Sequence, residues 1–129
     1  METVKIGVLG AGRGAGLARA IRFAPSAELA AICDANEERL ANAAAATGVE
    51  TTFTSYEALL DSDVDAVVVA SPMPLHVEHA VQALKAGKHV LSEVTAATSM
   101  DQCWELLETV RSTGRKYMMA ENYCWFRPW

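Results

Sequence analysis

No cluster of lysine and arginine occurs anywhere in this chain. With a net charge of -5, that removes the electrostatic footprint a nucleic-acid-binding surface needs. Long apolar runs are missing as well. None exceeds Ala66 to Ala70, far short of the roughly 20 residues that cross a bilayer, and the opening METVKIGVLGAG lacks the basic and apolar regions of a secretion signal. The expected setting is therefore cytoplasmic, with neither membrane nor nucleic acid as partner. Cysteine is scarce: Cys33, Cys103 and Cys124 make an odd count without C-x-x-C spacing, which argues against a disulfide framework and predicts reduced, mostly buried thiols. His76 and His79 write H-V-E-H, but a helical zinc motif needs its histidines at i and i+4, so no metal site is expected. Repeats of solenoid period and low-complexity linkers are also lacking. What is present is the composition of one globular domain with a rich core, 129 residues of which 51% are apolar and 21% charged.

The most informative stretch is Thr3 to Gly16, TVKIGVLGAGRGAG. It reads as a short buried strand, a turn dense in glycine and the start of a helix near Ala15 and Gly16, an order suited to binding phosphate. Gly10 permits a tight turn, and Gly12 removes a side chain that would keep a diphosphate from the backbone. The helix start supplies N–H groups and the positive end of its dipole. The third motif position falls on Ala15, beside Gly14, giving G-x-G-x-x-A; alanine is accepted there because the position mainly needs close packing of helix on strand.

Further along, Leu17, Ala20, Ile21 and Ala24 form an apolar stripe, and Pro25 is expected to end that helix. Glu28 to Asp34 reads as a second strand closed by a carboxylate. Asn36 is a candidate cap for a helix that Gly48 stops. Thr51 to Thr54 suits a third strand, and Ser55 opens a brief helix. Val64 to Ala70, β-branched and apolar on both faces, reads as a central parallel strand. After Ser71-Pro72-Met73-Pro74 comes a helix with Val77, Ala80, Val81 and Leu84 inward and Gly87 as stop. His89 to Val94 is the fifth strand. Ser99 and Gln102 spell a capping box ahead of a stripe of Cys103, Leu106, Leu107 and Val110, and Lys116 to Ala120 is the sixth strand. This alternation predicts a doubly wound α/β domain over residues 1–121, with a mostly parallel six-stranded sheet in the order 3-2-1-4-5-6. An aromatic tail, 122–129, follows.

Asp34 stands about 20 residues beyond the glycine turn, the context that turns the motif into a dinucleotide fingerprint. Its carboxylate can accept hydrogen bonds from both ribose hydroxyls of the adenosine half, and its charge would repel a 2′-phosphate, which favours NAD over NADP. The plainer role for Asp34 is a turn or helix-capping carboxylate. Arg13, inside the turn, could meet the diphosphate or a 2′-phosphate. Loops after parallel strands gather at one edge, so Ser71, Pro72, His76, Glu93 and Asn122 should lie together there. His76 is placed to touch ribose or nicotinamide, His79 is expected to be solvated, and Glu93 should have a partner or face the cleft, of which the cleft is favoured.

The runs IGVLGAGRGAG, CDAN, ASPMPLH and AGKHVLSEV, in this order, resemble the N-terminal half of the Gfo/Idh/MocA oxidoreductases. The resemblance implies a Rossmann nucleotide-binding domain with cofactor contacts at Gly10, Gly12, Arg13, Asp34, Ser71, Pro72, His76 and Asn122; Gly14, Ala15 and Glu93 complete the candidate set. It also implies hydride transfer to or from a sugar-like alcohol, with the substrate held by a second domain. Two departures stand out: the Glu-Lys-Pro customary after strand five is here Glu93-Val94-Thr95, and the sequence stops at Trp129, where the second domain would begin. No catalytic residue is assigned. The expectation is a module competent to bind NAD but catalytically incomplete alone, associating with itself through the tail or the sixth-strand edge. A non-catalytic nucleotide-binding or oligomerising module and an S-adenosylmethionine-dependent methyltransferase are the alternatives.

Overall fold

Every strand pairing in the sheet is parallel, and the strand in the middle is the one that feeds the glycine turn. In the computed structural model, which describes residues 3–125, the strands are β1 (Val4–Leu9), β2 (Ala27–Cys33), β3 (Thr52–Phe53), β4 (Ala66–Val69), β5 (His89–Ser92) and β6 (Tyr117–Met119), in the order β3-β2-β1-β4-β5-β6. The expected topology is the observed one. The order reverses between β1 and β4, so the loops leaving these two strands diverge and open a crevice at the carboxyl edge.

Helices α1 (Gly14–Ile21) and α2 (Glu37–Thr47) belong to one face of the sheet; α3 (Tyr56–Leu60), α4 (His76–Lys85) and α5 (Met100–Thr113) belong to the other. β4 shows why its sequence is apolar without alternation. Val67 and Val69 join Leu59, Ala80, Leu84 and Val90 in one core, whereas Val68 joins Val8, Ile32, Ala18 and Leu40 in the other. A strand covered on both faces has no residue to leave polar.

Local signals placed most boundaries. Asn36 Oδ1 accepts the Arg39 N–H at 2.8 Å and Ser55 Oγ the Ala58 N–H at 3.3 Å, while Gly48 and Gly114 end α2 and α5 in the left-handed region. At α5 the cap is shifted from the expected box: Ser99 Oγ accepts the Gln102 N–H, but the Gln102 amide oxygen accepts from the Thr98 N–H and hydroxyl.

Helix faces were less legible. α1 ends at Ile21, short of Pro25, and buries Gly14, Ala18 and Ile21, leaving Ala20 and Ala24 exposed. On α5 the buried residues are Leu106 and Thr109, with Cys103 and Leu107 outside. Two of the three thiols, Cys103 and Cys124, are therefore exposed rather than buried; all three are free. Among the described residues no helix is long and apolar enough to cross a membrane.

Candidate functional site

The turn after β1 is shaped by what its glycines cannot carry. Gly10 has φ +99°, and a Cβ on it would lie 2.4 Å from the Ala70 carbonyl oxygen. Only glycine lets the turn lie against the end of β4. Its N–H donates to the Cys33 carbonyl at 2.8 Å, and the Gly14 N–H donates to the Gly10 carbonyl at 3.0 Å. Close contact of helix and strand falls on Gly14, where a Cβ would come within 2.6 Å of Val8 Cγ1 and 3.2 Å of Ala70 Cβ. This corrects the expectation that Ala15 fills that role; Ala15 packs half-buried at the margin of the second core. Gly12 differs again. It is exposed, and a Cβ there would meet nothing nearer than Arg39 Cδ at 3.9 Å.

Asp34, directly after β2, is 7% exposed and fully engaged. Its Oδ2 accepts from the Ala11 N–H at 2.8 Å and Arg39 Nε at 3.3 Å; its Oδ1 accepts from the Asn36 N–H at 2.8 Å and Arg39 Nη2 at 2.9 Å. The plainer reading of this carboxylate is thus realised: it ties the glycine turn to the start of α2. Burial alone would raise its pKa, but hydrogen bonds from Arg39 and from the Asn36 and Ala11 N–H groups outweigh it and hold the carboxyl below its usual value. Arg39 carries no sequence signal beyond a surface position in the first turn of a helix, and it was missed.

At the other end of the crevice Arg13 Nε donates to Glu93 Oε1 at 3.1 Å, and Glu93 Oε2 accepts the Val94 N–H at 3.3 Å. Glu93 is buried, has a partner and lines the cleft, so both alternatives raised for it hold. His76 lies beside them. The ring is buried, with Nε2 2.8 Å from the Ser71 carbonyl and Nδ1 2.9 Å from the Thr95 carbonyl. Its polar atoms hold two loops together, and it borders the cleft only as part of the wall. His79 is half-buried rather than solvated: Nδ1 lies 2.8 Å from Ser71 Oγ, and the ring meets Tyr56 edge-on. Burial lowers its pKa. Burial likewise pushes the Cys33 thiol up to about 11, which keeps it protonated and unreactive.

Three hollows with shared walls run along this edge. One is lined by Cys33, Asp34, Arg39, Tyr56, Leu75 and His79, the next by Gly10, Gly12, Arg13, Asp34, Ser71 and Pro72, and the last by Arg13, Met73, His76, Glu93 and Val94. Most of the expected site residues meet here. Asn122 does not line any of the three and is exposed beyond β6. A dinucleotide suits this set of donors and one acceptor: open backbone at Gly12, the adjoining start of α1 and a guanidinium, with an edge carboxylate as the acceptor, arranged along one crevice.

Comparison with known proteins agrees with this geometry. The family model described as an oxidoreductase family with an NAD-binding Rossmann fold matches residues 4–121. A glycosyl hydrolase family 109 protein from Solibacter usitatus is 36% identical over 95% of this chain, which spans 31% of that relative. The WlbA dehydrogenase from Bordetella pertussis, solved with NADH and UDP-GlcNAcA, is 33% identical, with a TM-score of 0.86 over 92% of this chain and 35% of that one. A 3-ketoreductase variant from Actinomadura kijaniata, solved with TDP-benzene and NADP, is also 33% identical, with a TM-score of 0.84 over 92% and 37%. The chain thus spans about a third of the length of the proteins it matches. With the sheet order, the glycine turn and the edge carboxylate in place, the chain belongs to the Gfo/Idh/MocA oxidoreductase family and forms its NAD-binding Rossmann fold.

Proposed function

We propose that this chain is the NAD(H)-binding part of an oxidoreductase acting on a sugar-like alcohol or a related small molecule. The observation that carries the reading is the convergence of Gly12's open backbone, Asp34 and Ser71-Pro72 on one crevice at the reversal of strand order. The turn from Gly10 to Arg13 and the start of α1 at Gly14 and Ala15 would hold the diphosphate, and Asp34 the adenosine ribose. Ser71 and Pro72 would form the wall between, with His76, Glu93 and Val94 at the nicotinamide end and Asn122 approaching from beyond β6. A bound nicotinamide supplies the hydride donor or acceptor. The chain's own residues bind and orient it.

The substrate class is supported by the relatives' names, which include a glycosyl hydrolase and a dehydrogenase solved with a nucleotide sugar acid. Val94 has no proton to give and no side-chain group to hold a substrate hydroxyl, so it takes no part in proton transfer. The same residue favours a second reading, a module that binds nucleotide without turnover. Free thiols fit a cytoplasmic setting. The proposal includes self-association through the β6 edge, where Met118 is exposed, together with Met100, Trp104 and Leu107 on the outer side of α5; the tail residues 126–129, also expected to contribute, lie outside the described residues.

Isothermal titration with NAD, NADP and S-adenosylmethionine tests the assignment. Saturable binding of a nicotinamide dinucleotide and no heat from S-adenosylmethionine is the expected result. Binding of S-adenosylmethionine alone would overturn it, and dinucleotide binding without dehydrogenase activity would favour the second reading.

A further inference from the structure

We propose that His76 is a buried imidazolium: both of its ring nitrogens carry protons, and this positive charge at the nicotinamide end of the cleft makes the chain hold NADH in preference to the cationic NAD+. The charge effect rests on the nucleotide site proposed above, whereas the protonation rests on hydrogen-bond geometry.

Each ring nitrogen of His76 faces a group that can only accept. Nε2 lies 2.8 Å from the Ser71 carbonyl oxygen and Nδ1 2.9 Å from that of Thr95. A neutral imidazole has one N–H and one lone pair, so in either tautomer one nitrogen would turn its lone pair on a carbonyl oxygen at contact distance. Only the doubly protonated ring satisfies both partners. His76 is 2% exposed, so a nitrogen refused by its carbonyl has no bulk water to turn to, and the mismatch would carry the full cost of an unpaired buried group. Burying a cation is costly too, and two charge-assisted hydrogen bonds offset that cost.

The other two histidines provide a contrast. His89 Nδ1 accepts the Lys116 N–H at 3.0 Å, which an imidazolium could not do. His79 Nδ1 meets the Ser71 hydroxyl at 2.8 Å, a group able to donate or accept, so nothing there calls for a second proton. Of the three histidines, only His76 has partners that require the charged form.

The surroundings decide what that charge does. Arg13 and Glu93 share the hollow with His76, but they are bonded to each other and cancel. On α4 itself stand Glu78 and His79, with Glu57 on α3; burial, the largest influence, and His76 lower the pKa of His79, while Glu78 and Glu57 raise it. Both of these glutamates are exposed, as are the charged side chains of α5, which packs against α4, so solvent screens them. The imidazolium is thus the uncompensated charge beside the hollow. A nicotinamide ring is cationic in NAD+ and neutral in NADH, and a neighbouring cation separates the two by charge.

The first test needs no variant. Nitrogen-15 NMR of the 129-residue chain at about pH 7.5, where an ordinary imidazole is about 90% neutral, should show one ring with both nitrogens protonated and two rings with one nitrogen bare. The doubly protonated set should vanish in His76→Gln and persist in His79→Gln and His89→Gln. A bare nitrogen on His76 would overturn the inference. The second test is titration with NAD+, NADH and ADP, read as dissociation constants. The unaltered chain should favour NADH, and His76→Gln should move the ratio toward NAD+ by about fivefold, with ADP, which ends before the nicotinamide, bound as before. A shift of less than about twofold with ADP still bound would overturn the charge effect. If His76→Gln no longer holds ADP, the unaltered chain is taken to the pH at which NMR shows His76 losing a proton, where the same shift is expected and its absence counts equally against the effect. A bare nitrogen with nucleotide still bound leaves the site standing without the imidazolium, whereas failure of the unaltered chain to bind any of the three removes the site and the charge effect together.

Discussion

Gly10 and Gly12 stand two residues apart in one turn and answer to different demands. Gly10 is held by folding, because any side chain would strain a positive φ and strike the Ala70 carbonyl. Gly12 is held only by what must approach it. Gly10→Ala should therefore lower stability by more than about 2 kcal/mol in urea denaturation. Gly12→Ala should leave stability within about 0.5 kcal/mol yet weaken dinucleotide binding at least about tenfold, because the new methyl group fills the approach to the backbone. Equal effects of the two changes on stability would contradict this division. Gly10, Gly12, Asp34 and Ser71 owe their position on the crevice to backbone geometry at fixed distances from a strand end, and such geometry leaves local marks. Arg39, Tyr56 and His79 reach the cleft through side-chain direction and tertiary packing, for which a single sequence carries no comparable sign. His76 was placed correctly along the chain, but its partners are backbone carbonyls, one of them 19 residues away at Thr95.

At the scale of the element, caps were legible and faces were not. A cap is a statement about three or four consecutive residues. Asn36→Ala removes the acceptor for the Arg39 N–H and should cost about 1 kcal/mol, read as a lower urea midpoint with unchanged slope. A normal midpoint would mean that the Asn36 contact with Arg39 adds nothing to the helix. Faces need knowledge of the neighbour. α5 carries apolar residues on two sides, Leu106 and Val110 toward the core and Met100, Cys103, Trp104 and Leu107 away from it, so periodicity alone could not choose between them. α1 is only 8 residues long and approaches the sheet through Gly14, a contact no hydrophobic pattern would count.

For the whole molecule, the outer stripe of α5 leaves apolar area on one face of the sheet, and Met118, which pairs with Leu91 on the opposite face, leaves more at the β6 edge, without cover among the described residues. Surfaces of this kind associate when concentration allows. Sedimentation at tens of micromolar (about the range where weak dimers form) should show a dimer, and Trp104→Lys should return it to monomer; a clean monomer for the unaltered chain would end the self-association proposal.

The all-parallel sheet also governs how the molecule comes to exist. Even the shortest-range pairings, such as Ile32 with Thr52, join residues 20 apart, and β1 finds β4 only when Ile6 meets Ala66. The described sheet contains no hairpin to serve as a local nucleus, so loop closure must be met before pairing gives anything back, and folding is slow for the chain's size. The crevice lies where the most distant of these partners join. A nucleotide can recognise only a nearly finished molecule, and its effect should fall on the rate of unfolding rather than on the rate of folding.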